Sequence, residues 1–186
     1  MRYLSPFRVQ QACYQLETGK LLAYPTEAVY GLGCDPLNER AVMHLLALKQ
    51  RSVNQGLILI AANFEQLTPF LDYDEKIVAR MQARSSDVVT WVIPAQSWVP
   101  HWLTGNHPSL AVRITTHPLS KALCEHFCGP IVSTSANHHH QRPAYTALQV
   151  RGYFSTSPNL KILRGETGGH KKPSKIYDAV TGNRLR

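Results

Sequence analysis

The chain has 186 residues, 44% of them hydrophobic, and a formal net charge of +8 at neutral pH. That length and apolar content fit one globular domain over 1–186 with a substantial core. No apolar run approaches the roughly 20 residues that span a bilayer. The N-terminal twenty residues also lack the apolar stretch of a secretory signal, so a cytoplasmic protein without membrane contact is expected.

In chain order, Val9, Ala12, Cys13 and Leu16 stand at helical spacing and predict an amphipathic helix over 6–18. "LLAYPT" follows as the first strand. "YGLGCDP" after it has Gly31 and Gly33 but lacks the third glycine of a dinucleotide fingerprint, so it reads as a close-packed loop. Asn38 is a natural N-cap for a helix over 39–49. Strand-length runs recur as "LILIAA", "VVTWVIPA", "LAVRIT", "IVSTSA", "LKILRG" and "KIYDAV". Between them lie helical patterns over 75–83, 117–127 and 146–152, with Pro118 suited to a first turn. Alternating strands and helices at uneven intervals predict an α/β fold with a mixed sheet.

Four cysteines form no CxxC pair. Cys124 and Cys128, one helical turn apart, are expected to share a buried helix face rather than hold a metal. Three adjacent histidines, His138, His139 and His140, cannot all converge on one tetrahedral ion without unusual backbone, and read as a solvated loop. "GETGGHKKPS" fails the phosphate-loop pattern, because His170 follows Gly169 where lysine is needed.

The polar residues that stand out lie at strand and helix ends, where open α/β sheets bind ligands. Lys49 and Arg51 close the second helix; they either complement its dipole or face phosphates. Arg113 interrupts an apolar strand, and a charge there needs a carboxylate, from the protein or from a ligand. Ser133 and Ser135 alternate along a strand and share one face. No nucleophile elbow surrounds them, so they read as ligand-binding hydroxyls. The excess of positive charge favours a polyanionic partner, nucleic acid or a nucleoside triphosphate.

"AYPTEAVYGLGCDP", "LLALKQR", "LILIAAN", "SLAVRIT", "IVSTSAN" and "PSKIYDAVTG" occur in this order over nearly the whole chain. Together they resemble the YrdC-like, or threonylcarbamoyl-AMP synthase, family. The resemblance implies an open, twisted mixed sheet with flanking helices and a basic concave cleft. It implies a nucleotidyltransferase that makes threonylcarbamoyl-AMP and pyrophosphate from L-threonine, bicarbonate and ATP, with ATP as substrate, magnesium arriving with it, and no permanently bound cofactor or protein metal site. A separate tRNA threonylcarbamoyl-transferase complex would consume the product. Carried over residue by residue, Thr26, Arg113, Ser133 and Ser174 form the threonine pocket. Lys49 and Arg51 act on the ATP phosphates and in catalysis, with Ser135, Asn137, Ser109 and Pro143 also on the nucleotide side. The alternative is a non-catalytic protein that uses the basic cleft to bind RNA directly.

The chain departs from the family's pattern where a Pro-Gly-Pro turn is usual and Ser85, Ser86, Asp87 and Val88 stand instead. It also has Ser52 in place of proline, and His139 and His140 in place of a Ser-Gly pair. Proline and glycine together stiffen a turn and open it to close approach. Replacing Ser86, Asp87 and Val88 by Pro, Gly and Pro is expected to raise the melting temperature through reduced chain entropy. The same variant should bind ATP more tightly, which calorimetry would read.

Overall fold

The computed structural model describes residues 5–83, 88–138, 141–170 and 174–186. The expectations for Ser85, Ser86, Asp87, His139 and His140 therefore lie outside the described residues.

Among the described residues sixteen elements follow one another, two of them single 3-10 turns at Val53–Gln55 and Thr68–Phe70. The helices are α1 (Pro6–Glu17), α2 (Glu39–Lys49), α3 (Glu75–Gln82), α4 (His101–Thr104), α5 (Pro118–Phe127) and α6 (Ala147–Tyr153). The strands are β1 (Leu21–Pro25), β2 (Tyr30–Gly33), β3 (Ile58–Ala61), β4 (Val89–Pro94), β5 (Ser109–Ile114), β6 (Ile131–Ser135), β7 (Leu160–Ile162) and β8 (Lys175–Asp178). They form one mixed sheet in the order β7-β1-β2-β6-β3-β5-β4-β8. Local sequence explains the helix ends. Asn38 accepts from the Ala41 N–H at 3.0 Å and Asp74 from Ile77 at 2.9 Å, while Thr146 and Gln149 close a capping box. Gln50, in the left-handed conformation at φ 50°, ends α2 and turns the chain toward Arg51.

Each face of the sheet carries its own apolar layer. One face buries Leu21, Ala23, Leu32, Leu59 and Val112 under α2, α3, α4 and α6. The other buries Leu22, Tyr24, Ile60 and Ile131 under α1 and α5 only. Strand periodicity makes this division: Leu21 and Ala23 face one way, Leu22 and Tyr24 the other. Two helices do not cover an eight-stranded face, and the remainder of it is where the polar residues gather.

Two expectations need correction. "YGLG" is the strand β2, paired antiparallel with β1 through Tyr24 and Gly31 and with β6 through Gly31 and Ser135. Its glycines serve packing. Tyr24 lies across them, fully buried, and its hydroxyl donates to the Val132 carbonyl at 3.2 Å. A Cβ on Gly33 would sit 2.2 Å from that carbonyl oxygen and 2.9 Å from the Tyr24 ring, whereas one on Gly31 would stay at 3.2 Å or more. The second correction concerns the cysteine pair. Cys124 is buried, but Cys128 is exposed, because the helix has already ended there in a left-handed residue at φ 56°. Cys13, Cys34 and Cys124 are buried free thiols, and burial raises all three, which keeps them protonated and unreactive.

Gly33→Ala is expected to cost at least about 2 kcal/mol in urea denaturation, since a backbone carbonyl must move to admit the methyl group. Gly31→Ala should cost less than half as much, the contact there being tight but side-chain in nature.

Candidate functional site

Strand register gathers four of the predicted residues, Ser109, Arg113, Ser133 and Ser135, on the sparsely covered face. Val92 pairs with Ala111, Ala111 with Ile58, and Ile58 with Ser133. Two residues along in each strand, Thr90, Arg113 and Ser135 share that face, as does Ser109. Tyr24 joins them through its pairing with Gly31, the partner of Ser135. The site is a polar area on an otherwise apolar sheet surface, bounded by α1 and α5.

Arg113 is at the centre of one half. Its side chain is 13% exposed, and one terminal nitrogen lies 3.7 Å from Oε2 of Glu27, whose side chain is 4% exposed. The carboxylate that the sequence demanded for Arg113 is thus supplied by the protein itself. The sequence places Glu27 with Thr26 among the polar residues at the end of the first strand but gives it no partner, since an acid in a turn is ordinarily solvated. Its Oε1 accepts from the Thr115 hydroxyl at 2.6 Å, the Thr116 N–H at 2.9 Å and the His117 N–H at 3.4 Å. Burial by itself raises the Glu27 carboxyl, but Arg113, Thr115 and the backbone donors outweigh it and hold the group below its ordinary value. It is ionised at neutral pH. Arg113 Nε, by contrast, is buried with no hydrogen-bond partner among the described residues, and so is Oε2 of Glu27.

Glu27 follows β1 and Thr115 follows β5, yet β2, β6 and β3 lie between those strands in the sheet. A flat sheet could not bring them within 2.6 Å, so the curvature that makes this face concave is what assembles the pair. Residues 165–170 then cross over the turn: Gly168 N–H donates to Thr26 O at 2.9 Å, and His170 N–H to Glu27 O at 3.0 Å. Tyr30 Oη donates to Gly165 O at 2.6 Å, and His117 Nε2 donates to Glu166 O at 3.0 Å. A Cβ on Gly168 would come within 2.8 Å of Glu27 O, which accounts for glycine at the crossing.

The remaining threonine-side candidates are distributed around this pair. Ser133 is buried on β6 beside Val132, whose carbonyl accepts the Tyr24 hydroxyl at 3.2 Å. Ser174 is buried and its hydroxyl meets that of Thr90 at 2.8 Å; Thr90 was not singled out from sequence, being one threonine in an apolar strand. Thr26 spends its hydroxyl proton on Val29 O at 2.8 Å, closing the β1–β2 turn, and keeps its lone pairs free.

Lys49 and Arg51 form the other half and reach the face from the far side, around the end of α2. All three Lys49 ammonium protons are engaged, with Ser135 O at 2.7 Å, Asn137 O at 2.6 Å and Asn137 Oδ1 at 2.8 Å. Ser135 Oγ also donates to Asn137 Oδ1 at 2.7 Å. In this state Lys49 clamps the loop after β6, a contact that neither helix-dipole nor phosphate reasoning anticipated. Arg51 donates to Gly56 O at 2.8 Å, while its Nε is buried without a partner among the described residues. Ser109 opposes Pro94 at the start of β5. Pro143 precedes Ala144, which bonds both Tyr30 and Ala136 and folds the loop back on the sheet. His138, expected in a solvated loop, is instead partly buried, its Nε2 donating to Tyr153 O at 2.8 Å and its ring packed against Phe154. No group of three His, Cys, Asp or Glu arranged to hold a metal occurs among the described residues, and no described helix is long and apolar enough to cross a membrane.

Burial, reinforced by the Arg51 charge, pulls the Lys49 ammonium down to about 8. The clamp is therefore charged below that pH and loses a donor above it. If the loop it holds shapes the phosphate side of the site, kcat/KM for ATP, which reports the free protein, should decline as pH rises through about 8. A profile level to pH about 9.5, more than a unit above the Lys49 transition, would dissociate the clamp from nucleotide capture.

The chain matches the family described as telomere recombination, Sua5/YciO/YrdC, over residues 14–186. It is 47% identical over 187 residues to a threonylcarbamoyl-AMP synthase of Methylococcus capsulatus, covering 100% of both chains. It is 50% identical over 176 residues to one of Photorhabdus laumondii, covering 92% of this chain and 91% of the other. Among solved structures it resembles Sua5 of P. abyssi complexed with L-threonine, at a TM-score of 0.86 and 29% identity, over 95% of this chain. It spans only 52% of that Sua5 chain. It also shares its fold with E. coli YciO, at a TM-score of 0.82 and 20% identity over 95% of this chain and 85% of the other. With the family match running from Tyr14 to the last residue and full-length identity of 47% to a curated relative, this chain belongs to the Sua5/YciO/YrdC family.

Proposed function

We propose that the chain is a threonylcarbamoyl-AMP synthase, a nucleotidyltransferase of the cytoplasm. Full-length identity to bacterial proteins of that name supports the reading. The structural observation that carries it is a pair of partly buried guanidinium groups, Arg113 and Arg51, each with a buried Nε donor that no described residue fills, at two parts of a hydroxyl-rich site. A buried unfilled donor is costly. Two of them within one site are most simply explained by anionic ligands that complete them.

In this reading Arg113 takes the threonine carboxylate, with Thr26, Ser133 and Ser174 placed to accept or donate around the rest of the amino acid. Arg51 takes ATP phosphate, and Lys49 holds Ser135 and Asn137 in position beside the nucleotide, with Ser109 and Pro143 at its border. The threonine amine adds to bicarbonate to give a carbamate, with loss of water. A carbamate oxygen then attacks the α-phosphorus of ATP, forming a P–O bond as the bond to the β-phosphate oxygen breaks and pyrophosphate leaves. No protein nucleophile is required. The protein's work is orientation and neutralisation of phosphate charge, and magnesium brought by ATP supplies further neutralisation. The product is a mixed anhydride suited to transfer onto tRNA by a separate complex.

Incubation with ATP, bicarbonate and labelled threonine should yield threonylcarbamoyl-AMP, with pyrophosphate release that depends on threonine and bicarbonate together. Arg51→Ala should weaken ATP binding and spare threonine. Arg113→Ala should do the reverse, by about 2–5 kcal/mol for a desolvated carboxylate partner. Equal losses of both ligands in both variants, or pyrophosphate release that ignores both co-substrates, would sink the assignment. A protein that instead bound RNA without turnover, with affinity falling steeply in salt, would be the non-catalytic alternative.

A further inference from the structure

Glu27 has no role in the chemistry just described, yet it is the carboxylate nearest the threonine half of the site. Its geometry is unusual for an ion-pair partner. All the hydrogen bonds it accepts fall on Oε1, from Thr115, Thr116 and His117. Oε2, the atom that faces Arg113, accepts none from the described residues and stays 3.7 Å away. The pair is therefore electrostatic without being hydrogen-bonded. Glu27 balances the Arg113 charge while leaving guanidinium donors, Nε among them, free for another acceptor.

The consequence is one of net charge. Arg113 alone would make a cationic pocket, open to any carboxylate of suitable shape. Arg113 beside a fixed, ionised Glu27 makes a neutral one. Among the described residues, His117 is held below its ordinary value by burial and Tyr24, which also feels Arg113, is held above its own by burial, so neither adds charge at neutral pH. A neutral pocket gains little from a bare anion, whereas it accommodates a ligand that carries its own balancing charge. We propose that Glu27 is a specificity-determining residue which makes this site select a zwitterionic amino acid over a carboxylate of the same shape that lacks the amine. This inference rests on the threonine-binding reading above, and names what that reading leaves open.

Glu27 cannot swing away to relieve the balance. Three donors hold its Oε1, and residues 165–170 lie over its backbone through His170. The same anchoring supplies a purely architectural account, in which Glu27 only ties the β1–β2 turn to the start of α5. The two accounts differ in a measurable ratio. An architectural loss lowers affinity for all ligands of the pocket alike; loss of charge balance changes the preference between them.

The test is calorimetric titration of the whole protein with L-threonine and with 3-hydroxybutyrate, which is threonine without its amine. The wild-type protein should prefer threonine. In Glu27→Gln, which keeps the side chain's shape and an acceptor for Thr115, that preference should shrink by about tenfold, mainly through tighter binding of 3-hydroxybutyrate. Glu27→Asp, which keeps the charge, should retain most of it. If Glu27→Gln does not fold, as judged by its melting curve, Arg113→Gln asks the converse question. With Glu27 left as the unbalanced charge, that variant should bind threoninol, the cation that lacks the carboxylate, more tightly than threonine. A preference for threonine over 3-hydroxybutyrate unchanged within about twofold in Glu27→Gln would overturn the inference and leave the threonine reading standing. Equal affinities of Arg113→Gln for threoninol and threonine would overturn it likewise. Failure of the wild-type protein to bind threonine would remove the reading itself, and the inference with it.

Discussion

Burying the Arg113 guanidinium on a sheet face is the constraint around which the rest of the site is arranged. A lone charge there would cost several kcal/mol in desolvation, so a carboxylate has to be delivered to it and held. Delivery comes from the turn after β1, with three strands lying between it and β5 in the sheet order, and works because the sheet curls. Holding comes from the chain after β5, where the Thr115 hydroxyl and two backbone N–H groups converge on one oxygen of Glu27. The same turn is then overlain by residues 165–170, whose backbone bonds reach Thr26 and Glu27. One electrostatic requirement thus explains why three distant segments meet at this point.

The two halves of the site solve different problems with similar chemistry. Arg113 is kept partly unsatisfied beside a counter-charge. Lys49 is fully satisfied, its three protons shared among the oxygens of Ser135 and Asn137. A lysine so committed is a fixed post, and the loop after β6 hangs on it. Arg51, two residues on, retains the open donor. The left-handed residue Gln50 between them turns the chain, so that neighbours on one helix end take separate tasks.

Much of this was legible in the sequence for definite reasons. Helices with side-chain caps at Asn38, Asp74 and Thr146, and strands of β-branched and apolar residues, carry local signals that tertiary packing does not override. Arg113 was legible because a charge amid "SLAVRIT" is a contradiction that only a partner resolves. β2 was not, since half of "YGLG" is glycine, and what demands glycine at Gly33 is a carbonyl 99 positions away, at Val132, with the Tyr24 ring beside it. Glu27 and Thr90 were hidden for a related reason: nothing in their own neighbourhoods says that the curved sheet will bring Thr115 to the first and Ser174 to the second. The Lys49 clamp was likewise a long-range contact to residues 86 and 88 positions away.

The placement of the last two strands has a consequence for synthesis. β7 covers the outer edge of β1, and β8 covers that of β4, so both borders of the sheet are completed by residues after 159. On the ribosome, β1 emerges early and stays without its outer neighbour until nearly the whole chain has been made. Until then the nascent protein presents two bare strand edges, the kind of surface that recruits other chains. β1 alone must wait 139 residues, the separation of Leu21 and Leu160, which at about 5–20 residues per second is of the order of ten seconds. Premature release before Leu160 would therefore leave a protein with its core largely formed and both flanks adhesive, a species that a cell has reason to chaperone or destroy.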